Sequence, residues 1–118
     1  MRQTNDQWLP RIDIHSADKN LVIDADIPGV DKRDIKIEIE NGILRIFGER
    51  RTPERAAHLL EGNTLLEERN YGSFERSFEL PDAYDLNSIK AVYSGGVLTL
   101  SIPPSAKAEP REIPVDYA

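Results

Sequence analysis

The stretch Ile35-Lys36-Ile37-Glu38-Ile39-Glu40-Asn41-Gly42-Ile43-Leu44-Arg45-Ile46-Phe47 decides the fold class. In its first half, isoleucines alternate with charged side chains, and this period of two places every second residue on the same face of a β-strand. The Asn41-Gly42 pair is the strongest short signal for a tight hairpin, because both residues tolerate the positive φ that the turn requires. The stretch therefore predicts two antiparallel strands that share one apolar face.

The same alternation continues through most of the chain on both sides of this hairpin. Turn residues interrupt it at Pro28-Gly29, at Asn70-Tyr71-Gly72 and at Ser94-Gly95-Gly96. About eight short strands result, at residues 12–15, 21–27, 35–39, 43–47, 65–69, 73–80, 89–93 and 97–102. No segment keeps a helical stripe for three turns. Many short strands separated by turns predict an all-β sandwich or barrel.

Length and composition narrow the class of protein. The 118 residues suit one domain, and the net charge of −6 argues against partners that are nucleic acids or anionic membrane surfaces. The chain has no cysteine, which excludes disulfides and thiolate metal sites and fits a reducing compartment. The sequence shows neither an apolar run of about 20 residues nor a signal-peptide pattern, so we expect a cytoplasmic protein.

The sequence lacks the patterns that carry catalytic or metal chemistry. His15 and His58 lie in different segments, and neither has a second ligand at a metal-binding spacing. Asp24 and Asp26 share a strand face, but the remaining ligands of a calcium loop are missing. Neither a phosphate-binding glycine loop nor a nucleophile elbow is present. We therefore expect no enzyme activity, no cofactor and no metal.

Two segments do not fit a plain sandwich. Residues 51–63 form a connection that is long for a hairpin, and such loops are functional or disordered. The tail from Pro103 is rich in proline and predicts an extended, mobile tether that ends in Ile113-Pro114-Val115. In an extended chain Ile113 and Val115 project to the same side about 7 Å apart, so these three residues, the tail plug, can dock on a neighbouring subunit. The tether of residues 103–112 reaches ~30 Å. The alternative is a mobile terminus with incidental aliphatic residues.

Arg76 is the one charge on the apolar face of its predicted strand, a face that it shares with Phe74, Phe78 and Leu80. A charge on such a face needs a partner, and Glu67 and Glu68 are the candidates, within the chain or across a dimer. The alternative is a bulge that turns Arg76 outward.

Aliphatic rows in residues 34–39 and 96–102 suggest a further binding surface. Most of these side chains belong to the core, but a sandwich with open edges also leaves apolar grooves between its sheets. Such grooves accept extended polypeptide segments.

Five motifs, taken in order, resemble the α-crystallin domain of small heat shock proteins. The most characteristic is the run from Gly95 to Pro103, Gly-Gly-Val-Leu-Thr-Leu-Ser-Ile-Pro, preceded by Ala91. The others are Asp26-Ile27-Pro28-Gly29-Val30, the run from Gly42 to Arg50, the run from Glu68 to Pro81, and the tail plug, which resembles the family's C-terminal I-x-I/V motif. The resemblance covers the chain from about Trp8 to Val115.

The resemblance implies an immunoglobulin-like sandwich in residues 10–103 and a flexible extension in residues 104–118. Small heat shock proteins are ATP-independent holdases that bind partly unfolded clients and assemble from dimers into larger oligomers. In bacterial-type members a long loop carries a strand that pairs with the partner's sheet, which here implies residues 51–63 and the strand 65–69. The implied dimer interface comprises Leu65, Leu66, Glu67, Glu68, Arg69 and Arg76. The implied groove for a tail or client comprises Ile35, Ile37, Ile39, Ile89, Ala91, Leu98 and Leu100.

The sequence departs from the family at its N-terminus. Members usually carry a longer apolar arm, whereas only about nine residues, 1–9, precede the first predicted strand. This suggests either a naturally short member or a shortened chain, and the family's large assemblies and full client binding are not implied for a chain without such an arm. The main alternative function is that of a co-chaperone sandwich that binds a folded chaperone partner. A glycan-binding or enzymatic sandwich would need a cluster of exposed aromatic or acidic residues around a pocket, which the sequence does not supply.

Overall fold

The computed structural model describes residues 8–52, 65–106 and 112–117. Within them lie seven strands: β1 (Ile12–Ala17), β2 (Asn20–Asp26), β3 (Ile35–Glu40), β4 (Ile43–Arg50), β5 (Gly72–Glu79), β6 (Lys90–Ser94) and β7 (Val97–Ile102). Single turns of 3-10 helix, Lys32–Asp34 and Leu86–Ser88, precede β3 and β6. The described residues contain no α-helix, which confirms the all-β prediction.

The strands form two antiparallel sheets that enclose one core. The first has the order β1-β2-β7-β6, and the second has the order β3-β4-β5. The chain passes from the first sheet to the second after β2 and returns after β5, and a 3-10 turn lies in each crossing. The fold is therefore the predicted sandwich, with β1, β6, β3 and β5 at the four edges.

The turn chemistry explains the hairpins. Asn41 and Gly42 form the two-residue β3–β4 turn with φ of 52° and 76°, as their sequence predicts. The β1–β2 turn uses Asp18 and Lys19, which adopt φ of 51° and 70° without a glycine. This second turn carries no sequence signal of the usual kind, because a lysine rarely adopts positive φ.

The inward faces of the strands follow the predicted alternation. Ile23, Ala25 and Ile27 are completely buried in and just after β2, as are Leu44 and Ile46 in β4. The core also includes Trp8, Val30, Phe74, Leu98, Leu100 and Ile102. Ile14 lies on the same inward face, opposite Ile23, but it is 47% exposed, because β1 is an edge strand.

Gly48 marks the tightest packing in the second sheet. A Cβ at this position would clash with the backbone carbonyl oxygen of Asp34 and would lie 3.0 Å from the ring of Phe74. Only glycine therefore lets β4 approach the start of β3 this closely. The second sheet depends on this contact for its register, in which Gly48 pairs with both Ile35 and Phe74.

Trp8 fastens the segment before β1 to the second sheet. Its backbone N–H donates to the Ser73 carbonyl at 3.1 Å, and its indole Nε1 donates to the Gly72 carbonyl at the same distance. The indole also packs on Phe74 with ring centroids 4.9 Å apart. The residues before β1 thus close one end of the core.

The segment that follows β7 is also fastened to the domain. Pro104 forms a β-bridge with Tyr84. Ser105 donates its N–H to the Ala83 carbonyl at 2.7 Å and its hydroxyl to the Asp82 carbonyl at 2.8 Å. Pro104 and Ser105, which the composition assigns to the extension, thus contact the domain.

Candidate polypeptide-binding groove

A groove separates edge strand β3 of one sheet from edge strand β6 of the other. It has a volume of about 420 Å³ and is lined by Lys32, Arg33, Ile35, Ile37, Ala91, Tyr93 and Leu98. Ile35, Ile37 and Ala91 project inward from the edge strands and are only partly covered, because each sheet ends here, whereas Leu98 on β7 is almost fully buried. The groove is therefore an open apolar strip between two strand edges.

The structure places four of the predicted groove residues together and separates the other three. Ile35, Ile37, Ala91 and Leu98 line the groove. Leu100 has no exposed surface and lies in the core beneath, since its side chain is enclosed by both sheets. Ile39 is 40% exposed and lies further along β3, next to the Asn41–Gly42 turn, and Ile89 is half-buried just before β6.

Tyr93 contributes a polar contact to the groove that is absent from the set of groove residues implied by the family resemblance. Its hydroxyl donates to the Ile27 carbonyl at 2.6 Å, which fixes the ring against the core at the side of the groove. Tyr93 shares the parity of Ala91 on β6, so the alternation alone could have identified it.

Positive charge lies at one end of the groove. Lys32 and Arg33 are exposed in the 3-10 turn that leads into β3. Asp31 caps this turn by accepting from the Arg33 N–H at 2.9 Å, and its carboxylate pairs with the Arg33 guanidinium at 3.1 Å. These contacts with the Arg33 backbone and side chain lower the pKa of the Asp31 carboxyl. Lys32 adds a cation to the same rim.

The tail plug is exposed in the single chain. Ile113 is 73% exposed and Val115 is 92% exposed, so neither is buried in a groove of its own subunit. Acidic residues, Glu112 and Asp116, flank the plug on both sides.

Residues 65–69, predicted as a strand, form no strand in the single chain. Leu65 is 99% exposed and Leu66 is 77% exposed, and Glu67, Glu68 and Arg69 are exposed as well. A strand requires a neighbouring strand to satisfy its backbone hydrogen bonds, and none lies beside this segment within the described residues. The other predicted part of the exchange loop is residues 51–63, of which residues 53–63, His58 included, lie outside the described residues.

Arg76 points inward, opposite Ile46, in an unbroken β4–β5 register. The bulge that would turn it outward is therefore absent from β5. Its Nη1 donates to the Pro10 carbonyl at 3.1 Å, and its guanidinium lies 5.4 Å from the centre of the Phe78 ring. Within the described residues of one chain, the partner of this charge is thus a backbone carbonyl and not Glu67 or Glu68.

The described residues offer neither a metal-binding cluster nor a membrane-spanning helix. No group of three or more histidine or acidic side chains there could hold a metal ion. None of the helical segments described is long and apolar enough to cross a membrane. His15 is exposed on the polar face of β1, as its parity predicts.

Comparison with known proteins places these features in context. The sequence model of the Hsp20/alpha crystallin family matches residues 13–116. Heat shock protein 16 of Schizosaccharomyces pombe is 35% identical over 103 residues, which are 87% of this chain and 71% of the relative. Small heat shock protein C2 of Rickettsia felis is 34% identical over 112 residues, which are 95% of this chain and 71% of the relative.

Solved structures show the same fold. A small heat-shock protein from Xylella fastidiosa superposes with a TM-score of 0.77 at 43% identity, covering 94% of this chain and 99% of that one. Heat shock protein 16.0 from Schizosaccharomyces pombe superposes with a TM-score of 0.78 at 33% identity, covering 98% of this chain and 80% of that one.

Proposed function

Because the chain belongs to the Hsp20/α-crystallin family, we propose that it is an ATP-independent holdase, which binds partly unfolded proteins and prevents their aggregation. The observation that carries this proposal is the uncovered apolar groove between β3 and β6. The relatives named above are heat shock proteins, which favours a holdase over the co-chaperone alternative. We further propose a cytoplasmic location, which the absence of cysteine fits.

The shape of the groove suits an extended polypeptide. Ile35 and Ile37 are spaced two residues apart on β3, so their side chains stand about 7 Å apart on the same face. An extended guest chain presents its alternate side chains at the same spacing, and hydrophobic burial does not depend on the exact sequence. A groove of this kind therefore favours exposed apolar segments of many different unfolded proteins.

A second copy of the chain is the other occupant that we propose for this groove. The tail plug presents Ile113 and Val115 at the matching 7 Å spacing. Its acidic neighbour Asp116 also complements Lys32 and Arg33 at the rim. Tail docking would join dimers into larger oligomers, and it would compete with clients for the same apolar strip.

We propose that the dimer uses residues 65–69 as an exchanged strand. Leu65 and Leu66 are almost fully exposed, and their burial against a partner would recover apolar contact that the single chain lacks. The exchanged strand would pair with edge strand β1 of the partner. Ile14 of β1 faces inward but is not covered, so an added strand would bury it. In the same dimer, Glu67 or Glu68 of one subunit would lie near Arg76 of the other.

The holdase proposal is tested by heating a thermolabile client protein with increasing amounts of this chain in the absence of ATP and recording light scattering. We expect scattering to fall in proportion to the chain added, and an inert protein at equal mass serves as the control. Unchanged scattering at every ratio would contradict the proposal.

The role of the groove is tested with two neighbouring substitutions. Ala91→Asp places a charge in the groove, whereas Val92→Asp places the same charge on the outer face of β6, where Val92 is 61% exposed. We expect Ala91→Asp to weaken client protection and Val92→Asp to preserve it. Equal protection by both variants would show that clients bind elsewhere.

A further inference from the structure

Arg50, at the end of β4, is a buried cation. It is 8% exposed, and its guanidinium lies 3.8 Å above the centre of the Trp8 ring. Its Nη1 donates to the Asn70 carbonyl at 3.0 Å, but its buried Nε–H donates to no acceptor among the residues that the structure describes. Burial lowers the pKa of this guanidinium, and the positive charge of Arg69 lowers it further.

The guanidinium group of Arg69 lies near that of Arg50, beside Gly29. A Cβ at Gly29 would lie only 2.7 Å from Nη2 of Arg69 and 3.9 Å from Nε of Arg50, so the absence of a side chain at Gly29 lets the two guanidinium groups approach each other. Arg69 also donates from Nη1 to the Tyr71 hydroxyl at 3.2 Å. The two cations therefore share one small region at the end of the sandwich.

No carboxylate within the described residues forms an ion pair with either arginine. The third arginine nearby, Arg51, is neutralised by Asp34 at 2.9 Å. Glu49 and Glu67 line the same pocket but form no ion pair with Arg50 or Arg69. Two neighbouring cations without a counterion repel each other, and the repulsion is stronger where burial excludes water.

We propose that the pocket bordered by Arg50 and Arg69 binds an oxyanion. Guanidinium groups bind phosphate and carboxylate oxygens through charge-assisted hydrogen bonds, and two neighbouring guanidinium groups can share one such group. The pocket has a volume of about 600 Å³, which admits a phosphate ion with water or an acidic side chain of a second copy. The proposal does not depend on the holdase function.

The chain contains an intrinsic probe for this site. Trp8 is its only tryptophan, and Arg50 lies directly over the indole ring. We would record Trp8 emission during titration with inorganic phosphate, with sodium chloride adjusted to hold the ionic strength constant. We expect a saturable change in emission. In Arg69→Gln we expect the apparent affinity for phosphate to fall by about tenfold or more, because a charged hydrogen-bond donor is lost.

The control is Arg11→Gln, which removes the same charge from an exposed position before β1. It should bind phosphate as the unmodified chain does. A phosphate response that survives unchanged in Arg69→Gln, or that disappears equally in Arg11→Gln, would overturn the assignment.

A dilution series separates the two sources of the oxyanion. If a carboxylate of a second copy fills the pocket, Trp8 emission in phosphate-free buffer should change as the protein is diluted. Arg69→Gln should abolish this change in emission, whereas Arg11→Gln should retain it. If free phosphate is the ligand, emission should respond to phosphate at every protein concentration. Emission that responds to neither phosphate nor dilution refutes the proposal.

Discussion

Changing Ile113 and Val115 together to alanine tests the role of the tail plug most directly. The two changes remove five methyl or methylene groups, each of which contributes about 0.8 kcal/mol when fully buried. Complete burial of these groups would therefore contribute about 4 kcal/mol to the free energy of tail docking. Because the groove is open on one side, we take half of this value, about 2 kcal/mol, which corresponds to about a 30-fold weaker docking of the tail.

The assay is multi-angle light scattering after size-exclusion chromatography, over a range of loading concentrations. We expect the double variant to lose species larger than the dimer at concentrations where the unmodified chain keeps them. Ile43→Ala with Val92→Ala is the matched control. It removes the same chemical groups from positions that are 43% and 61% exposed and lie outside the groove and the tail. An unchanged mass distribution in the tail variant, or an equal loss in the control, would refute tail docking.

Three further predictions concern stability and the dimer. Gly48→Ala should lower the free energy of unfolding, measured with urea, by about 3 kcal/mol, because the added methyl group overpacks against the start of β3. Gly42 has open space around it, so Gly42→Ala should lower this free energy by only about 1–2 kcal/mol, through backbone strain. A larger loss in Gly42→Ala than in Gly48→Ala would contradict the packing described. Leu65→Asp with Leu66→Asp should convert dimers to monomers in sedimentation velocity, and a retained dimer would exclude this segment from the interface. The lowered pKa of Asp31 stabilises the fold above about pH 4, and this stabilisation is lost as the pH falls through the folded-state pKa. Acid unfolding of Asp31→Asn, followed by circular dichroism, should therefore depend less on pH in that range, and identical curves would contradict the assignment.

The local elements of the sandwich could be predicted from the sequence because their signals are local. The alternation in residues 35–39 and the Asn41-Gly42 turn depend only on neighbouring residues, and both are confirmed. The order of strands depends on contacts between distant residues. Strand β2 pairs with β7, for example, through Ile23 and Leu100, and no local pattern specifies that pairing.

The candidate groove was only partly predictable for a related reason. Alternation identifies the face on which Leu98 and Leu100 lie, but it does not show where one sheet ends and leaves that face uncovered. Ala91 on edge strand β6 is therefore exposed in the groove, while Leu100, its register partner on β7, is completely buried. Arg50 shares the inward parity of Leu44 and Ile46, so alternation could have indicated its burial. Its contact with Trp8 arises only when the segment before β1 folds across the second sheet.

The anchoring of Ser105 has a consequence for how an assembly would exchange subunits. Seven residues, 106–112, lie between the anchored Ser105 and the tail plug, and a chain of this length spans at most about 25 Å. A tail plug that leaves its groove would stay tethered nearby for as long as another contact holds the subunits together. Its effective concentration near the groove would then be in the millimolar range. Individual docking contacts could then be weak and open often, and complete release of a subunit would require several to open at once. Moderate heating, which increases the open fraction of each contact, would therefore expose grooves well before the assembly separates.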